Sequence, residues 1–261
     1  MASERVLLHI CCAPCATTVV RRLQEGGHAV HGFFYNPNIQ PEKEYYQRLL
    51  EAQRLCKLWS IPLEIGDYDW DRWQAEVRGL EGEKEGGKRC PVCYRYRLAA
   101  TALKARELGI GAIATTLTIS PHKRPEIVNL IGKEVGEESE IKFLEADWKK
   151  KDGFKQSLDT CRELRIYRQH YCGCKYSLRE REERAKREAG REAPERAAPK
   201  PASTDGPVKG AIKAVKIPAE ETLPKSDPAA NHDTGTRAKW ELTPLERKQR
   251  RDKKAKPWQK K

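Results

Sequence analysis

Short apolar runs alternate with amphipathic stretches of helical period through the first two thirds of this chain, and that alternation leaves few folds open to it. RVLLHIC, from Arg5 to Cys11, suits a buried strand. Pro14 sits where a first helical turn tolerates it, ATTVVRRLQEG continues as helix, and Gly26 with Gly27 closes it. AVHGFFY (Ala29 to Tyr35) reads as a second strand, NPNIQP as a turn-rich loop, and Glu42 to Trp59 as a long amphipathic helix. PLEIGDYD then reads as strand and loop, followed by a helix near Trp70 to Leu80 and a charged loop, EGEKEGGKR, that delivers Cys90. Cys93 opens a helix to about Leu108 that Gly109 closes, and Ala112 to Thr118 is a further strand. RPEIVNLIGKEV is helical, IKFLEADW is strand, and GFKQSLDTCRELR is helical again. Repeats of strand and helix predict an α/β fold with a doubly wound, mostly parallel sheet and right-handed crossovers. Ligands of such sheets sit beyond the carboxyl ends of the strands, which here are Cys11 and Cys12, Tyr35 and Asn36, Thr115 to Ser120, and Ala146 to Trp148.

Composition divides the chain near Arg191. Residues 1–191 carry enough apolar sequence for one α/β catalytic domain, whereas residues 192–261 form a basic, proline-rich tail. From Ala193 onward there are 17 Lys and Arg against 9 Asp and Glu, eight of the formal +13, together with 9 of the 16 prolines. Such a stretch cannot bury enough apolar surface to offset ordering entropy, so it is expected to be mostly disordered. Its end, LERKQRRDKKAKPWQKK, is either a solvated, self-repelling segment or a phosphate contact adding affinity without specificity. The pI of about 9.3 points toward a nucleic-acid partner. The N-terminus lacks a long apolar signal region, and no stretch approaches the roughly 18 apolar residues of a membrane span, which predicts a cytoplasmic protein with no membrane partner.

In that compartment clustered cysteines are metal-binding or catalytic more often than disulfide-bonded. Seven of the nine fall into three groups: Cys11, Cys12 and Cys15; Cys90 and Cys93; Cys172 and Cys174. The spacers Cys12-Ala-Pro-Cys15 and Cys90-Pro-Val-Cys93 let paired thiolates face one ion, as in zinc or iron–sulfur sites, and sequence spacing alone does not separate the two. Cys11 and Cys12 can share a centre only where strand breaks into helix, and a helix N-terminus there favours the thiolate. Cys15, facing back into the first helical turn, is the member most readily spared. Cys172-Gly173-Cys174 can ligate a second metal or form a strained, reducible disulfide. Tyr167, Arg168, Gln169, His170 and Tyr171 offer donors and stacking faces suited to a nucleobase, or simply a packed loop. Cys56 and Cys161 read as core packing on amphipathic helices, and His9 as a satisfied core histidine rather than a ligand. Asn36 and Asn38 either contact substrate or make the turns that Asn-rich loops favour.

HICCAPC, FFYNPNIQP, RCPVCYRYRLAATA, TTLTISPHK and IYRQHYCGCKYSLRERE, in this order from about Val6 to Glu183, resemble the QueH-type, cobalamin-independent epoxyqueuosine reductases. The resemblance implies a Rossmann-like, nucleotide-hydrolase-like fold. It also implies reduction of the epoxide of epoxyqueuosine at the tRNA wobble position, with loss of its oxygen as water, the last step toward queuosine. It implies Cys11, Cys12, Cys90 and Cys93 as ligands of a [4Fe-4S] cluster and Cys172 with Cys174 as a redox-active pair. Relatives can hold Asp at the position of Cys15, which suits a ligand to an additional iron better than a cluster ligand. The partners implied are the epoxyqueuosine-containing anticodon loop of tRNA and an electron donor that the sequence does not name.

Opening the epoxide calls for two electrons and an acid for the departing oxygen. Asp147, His122, Lys123 and Tyr171 are candidates for proton supply or substrate contact. Two other readings stay open. An ATP-pyrophosphatase-type tRNA-thiolating enzyme would share sheet order and cysteine pairs, but needs a glycine and serine loop where this chain has Cys11, Cys12, Ala13 and Pro14. A non-catalytic, zinc-stabilised RNA-binding module would be colourless.

Overall fold

The computed structural model describes residues 3–191, with side chains through residue 189. The expected basic tail lies outside the described residues. Thirteen elements follow one another: β1 (Arg5–His9), α1 (Ala13–Glu25), β2 (Ala29–Phe34), α2 (Glu42–Leu58), β3 (Leu63–Ile65), α3 (Trp70–Glu76), α4 (Arg89–Glu107), β4 (Ala112–Thr115), a 3-10 turn at Leu117–Ile119, α5 (Pro125–Ser139), β5 (Lys142–Phe143), α6 (Gly153–Glu163) and α7 (Lys175–Arg191). The strands form one parallel sheet in the order β3-β2-β1-β4-β5. Winding runs outward from β1 in one direction and from β4 in the other, so the order reverses between β1 and β4.

Side-chain alternation on the central strand divides the core into two layers. Val6, Leu8 and Ile10 pack with α1, α2 and α6, whereas Leu7 packs with α4 and α5. Strands buried on both faces explain why the sequence shows continuous apolar runs instead of polar alternation. Pro at the start of α1 fits because the missing N–H lies in the unbonded first turn. Gly109 closes the turn after α4 at φ +61°, as the sequence predicts.

The strands are shorter than the apolar runs that predicted them. β1 ends at His9 and not Cys11, β4 ends at Thr115 and not Thr118, and β5 has only two residues of the IKFLEADW run. In each case the remaining residues turn over the end of the sheet to build loops, and hydrophobicity cannot mark that departure. α4 begins at Arg89, so Cys90 already lies in the helix rather than in the loop before it.

Close packing of α5 against the chain that follows it can be tested directly. A Cβ at Gly136 would stand 2.6 Å from the Ile141 carbonyl oxygen, a backbone atom with little freedom to yield. Helix propensity alone favours alanine by about 1 kcal/mol. Overpacking costs about 1–3 kcal/mol, so Gly136→Ala is expected to lower stability in denaturant titration; a gain would show that the loop gives way.

Candidate metal and redox site

His9 ends the central strand fully buried. Its Nε2 lies 3.3 Å from the Tyr35 carbonyl, which can only accept, so Nδ1 takes the Thr115 hydroxyl proton at 2.9 Å. Burial, helped by the Arg97 charge, lowers its pKa to about 3, and the ring is a neutral core group as the sequence reading holds. Beyond it the chain bends at Cys11, and Cys12 caps α1 in extended conformation. Cys15 follows in the first helical turn.

The Sγ atoms of Cys11, Cys12 and Cys15 all lie within 4.8 Å of one another, the only such group of three potential ligands among the described residues. Cys11 and Cys12 are 3.8 Å apart. Two thiolates held at about 2.3 Å by one tetrahedral ion would stand about 3.8 Å apart, so this donor set fits a single soft metal ion. Thiol hydrogen bonds from Cys12 and Cys15 hold Cys11 well below the ordinary thiol range, aided by the charges of Lys123 and Arg97. Burial and the Cys11 neighbour push Cys12 up to about 12, and hydrogen bonds with Cys11 and Cys12, then burial, raise Cys15 well above the ordinary thiol value. Thr116 donates to Cys11 Sγ at 3.2 Å, and Gln169 Nε2 donates to Cys12 Sγ at 2.9 Å.

Cys90, Cys93, Cys172 and Cys174 form a second group. Cys90 and Cys93 stand in the opening turns of α4, where the Gly86 N–H reaches Cys90 Sγ at 3.2 Å. Cys93 and Cys174 share an apolar cluster with Trp73, Val77 and Tyr176. Burial raises all four thiols, Cys90 to about 12, and like charge between the Cys90, Cys93, Cys172 and Cys174 sulfurs adds to it. All nine cysteines are free thiols. The folded chain keeps Cys15 with Cys11 and Cys12, as the Cys12-Ala-Pro-Cys15 spacing allows, and sets Cys90 and Cys93 beside the Cys172 and Cys174 loop. Cys56 and Cys161 lie in the apolar core, as expected.

A cleft of about 540 Å³ opens over this region at the reversal of strand order. Cys11, Cys15 and Cys172 line it, with Lys123, Arg97, His122 and Tyr171. Lys84, Arg48, Arg168, Arg181 and Arg184 against Glu85, Glu180 and Glu188 leave the lining cationic, which suits a phosphate-bearing ligand. Three of the four sequence candidates for proton supply, His122, Lys123 and Tyr171, therefore face the cleft. Asp147 does not line it: its carboxylate accepts the Lys149 N–H at 3.2 Å and pairs with Lys149 Nζ at 3.6 Å, closing a local turn. Asn36 is also internal, since its Nδ2 donates to the Ile10 carbonyl at 2.9 Å and its Oδ1 accepts from Arg97.

Sequence reasoning missed the groups that hold the cysteine loops in place. Arg48, 2% exposed, donates to the carbonyls of Cys172 at 2.9 Å and Tyr171 at 3.2 Å, and Glu44 anchors its Nε at 2.8 Å. Its guanidinium also lies over the Tyr171 ring. Gly173, at φ +134°, lets the loop pass so close to the NPN segment that an added Cβ would stand 3.0 Å from Ile39 and 3.2 Å from Asn38. The Gln40 N–H closes that contact on the Gly173 carbonyl at 2.8 Å. Arg97 follows Cys93 by one helical turn, a spacing that marks the same helix face; Arg48 carries no sequence signal.

The family model for epoxyqueuosine reductase QueH matches residues 6–180. That span takes in all three cysteine groups. The chain belongs to the QueH family. QueH of Streptococcus pyogenes serotype M1 is 40% identical over 180 residues, covering 67% of this chain and 70% of that protein. QueH of Acinetobacter baylyi is 38% identical over 179 residues, covering 68% and 82%. Among solved structures, the U34-tRNA thiolase NcsA from Methanococcus maripaludis with its [4Fe-4S] cluster aligns with a TM-score of 0.44 and 13% identity, over 74% of this chain and 69% of that one. QueH membership makes the protein an oxidoreductase and sets aside the thiolating-enzyme and zinc-module readings. The match ends at residue 180 within α7, and no helix among the described residues is long and apolar enough to cross a membrane.

Proposed function

We propose that this protein reduces the epoxide of epoxyqueuosine in the anticodon loop of tRNA, giving queuosine and water, in the cationic cleft where the cysteine groups meet. Family membership carries the reaction. The observation that carries the site is that Cys11, Cys15 and Cys172 face one cleft together with the buried Lys123.

The chemistry balances with the Cys172 and Cys174 dithiol as reductant. Removing the epoxide oxygen leaves a carbon–carbon double bond and needs two electrons and two protons; forming one disulfide from two thiols releases both. The oxygen leaves as water, and an external two-electron reductant must then return the disulfide to the dithiol. Cys172 lines the cleft while Cys174 lies buried behind it, close to Ser177. Arg48 and Gly173 fix the loop that presents them. Lys123 is placed to donate a hydrogen bond to the departing oxygen; burial favours its neutral form, but Cys172, Tyr94, Cys11 and Glu85 around it together hold its pKa well above the ordinary lysine value. Tyr171 and Arg168 face the nucleoside from the same wall.

In this reading Cys11, Cys12, Cys90 and Cys93 hold a [4Fe-4S] cluster, and Cys15 offers a ligand for an additional iron. The close Cys11, Cys12 and Cys15 spacing supports metal binding by the first group. When bound, thiolate-held iron supplies Lewis acidity and one-electron transfer at the cleft. Anaerobically purified full-length protein is expected to be brown, to contain iron and sulfide, and to convert epoxyqueuosine in tRNA without ATP. Iron-free yet active protein would overturn the metal reading, and a requirement for ATP would overturn the reaction class.

A further inference from the structure

Arg97 is a buried cation without a carboxylate. It is 2% exposed, and among the described residues it forms no ion pair with Asp or Glu. Its Nη2 donates to Asn36 Oδ1, its Nη1 lies 4.0 Å from Cys93 Sγ, and its Nε has no partner among the described residues. Asn36 in turn donates to the carbonyl of Ile10, the residue before Cys11, so the guanidinium is tied to both sulfur groups. A buried charge is tolerated only opposite a compensating one. The ionisable groups nearest Arg97 are sulfurs: Cys93 lies 4.0 Å from its Nη1, and the thiolate forms of Cys93, Cys11 and Cys172 would each compensate its charge against the cost of burial.

We propose that Arg97 is a positioning residue that supplies the fixed positive charge for the sulfur centre and thereby sets its reduction potential. The inference rests on the metal reading above. A cation fixed beside a centre stabilises the form that carries one more electron, and net local charge and solvent exposure are among the terms that set iron–sulfur potentials. Lys123 and Arg97 both line the cleft, but Arg97 is held in place by Asn36 and Cys93, so its charge is fixed beside the sulfurs. Arg97 thus acts on the electron chemistry through the sulfurs.

The test is a redox titration of anaerobically purified full-length protein, followed by visible absorbance and electron paramagnetic resonance, with iron and sulfide measured on each sample. Arg97→Met is expected to retain iron and to shift the reduction equilibrium roughly tenfold toward the oxidised form, about 59 mV lower for a one-electron couple. Arg97→Lys is expected to restore most of that shift, because it restores the charge. Asn36→Asp leaves Arg97 in place and sets a carboxylate against its Nη2, so it is expected to lower the potential in the same direction even where Arg97→Met fails to fold. Iron-loaded Arg97→Met and Asn36→Asp proteins with the wild-type potential would overturn the proposal while leaving the metal reading intact. Wild-type protein without iron or a redox-active signal would overturn both.

Discussion

Replacing Cys172 with serine is expected to stop turnover of epoxyqueuosine-containing tRNA, by roughly a thousandfold or more, while iron content and visible absorbance stay at wild-type levels. Serine keeps the shape of the side chain and its place in the loop that Arg48 and Gly173 hold. It cannot form a disulfide with Cys174, so the two electrons have no store. Cys172 is the member of the pair that lines the cleft, and Cys174 lies buried behind it near Ser177. Cys174→Ser is therefore expected to show the same loss, despite having no contact with the cleft. Loss of iron in Cys172→Ser would instead make that sulfur a ligand, and full activity would remove the dithiol from the mechanism.

The double variant Cys11→Ala/Cys12→Ala is expected to lose at least about 90% of bound iron, and activity with it, because it removes two of three sulfurs that stand within metal-ligand spacing. The fold should survive: Cys12 makes no side-chain cap to α1, and Pro14, Ala16, Val19 and Val20 keep that helix buried against the sheet. Far-ultraviolet circular dichroism at the wild-type level, together with iron analysis, separates metal loss from unfolding. Wild-type iron content in the double variant would place the centre wholly with the Cys90 and Cys93 group. Cys15→Ala in the same background separates the cluster from an additional iron.

Much of this was legible before any coordinates. Strand and helix alternation gave the sheet class, and βα order put Cys11 and Cys12 at a strand end. What the alternation could not mark was where each strand stops, since the residues of Ile10 to Cys12 and Thr116 to Ile119 are as apolar as the strands they leave. Asp147 shows the limit for polar residues. A carboxylate at a strand end reads as a proton source; only the folded chain shows this one bonded to Lys149 in a local turn and absent from the residues that line the cleft.

The sequence by itself determined the parallel α/β class, the three cysteine groups and, through five ordered motifs, the QueH family, because strand–helix periodicity and motif order survive without distances. Only the tertiary structure decided which sulfurs are neighbours. The Cys11, Cys12 and Cys15 sulfurs, one group in the sequence, come within 4.8 Å of one another because α1 starts directly beyond the strand end. Cys93 meets Cys174 because the Trp73 cluster packs α3, α4 and the start of α7 together. Arg97 becomes the charge common to both groups because Asn36, 61 residues away, meets it across the sheet; its Cys93 neighbour is legible as one helical turn, but the Asn36 contact is encoded by no local pattern.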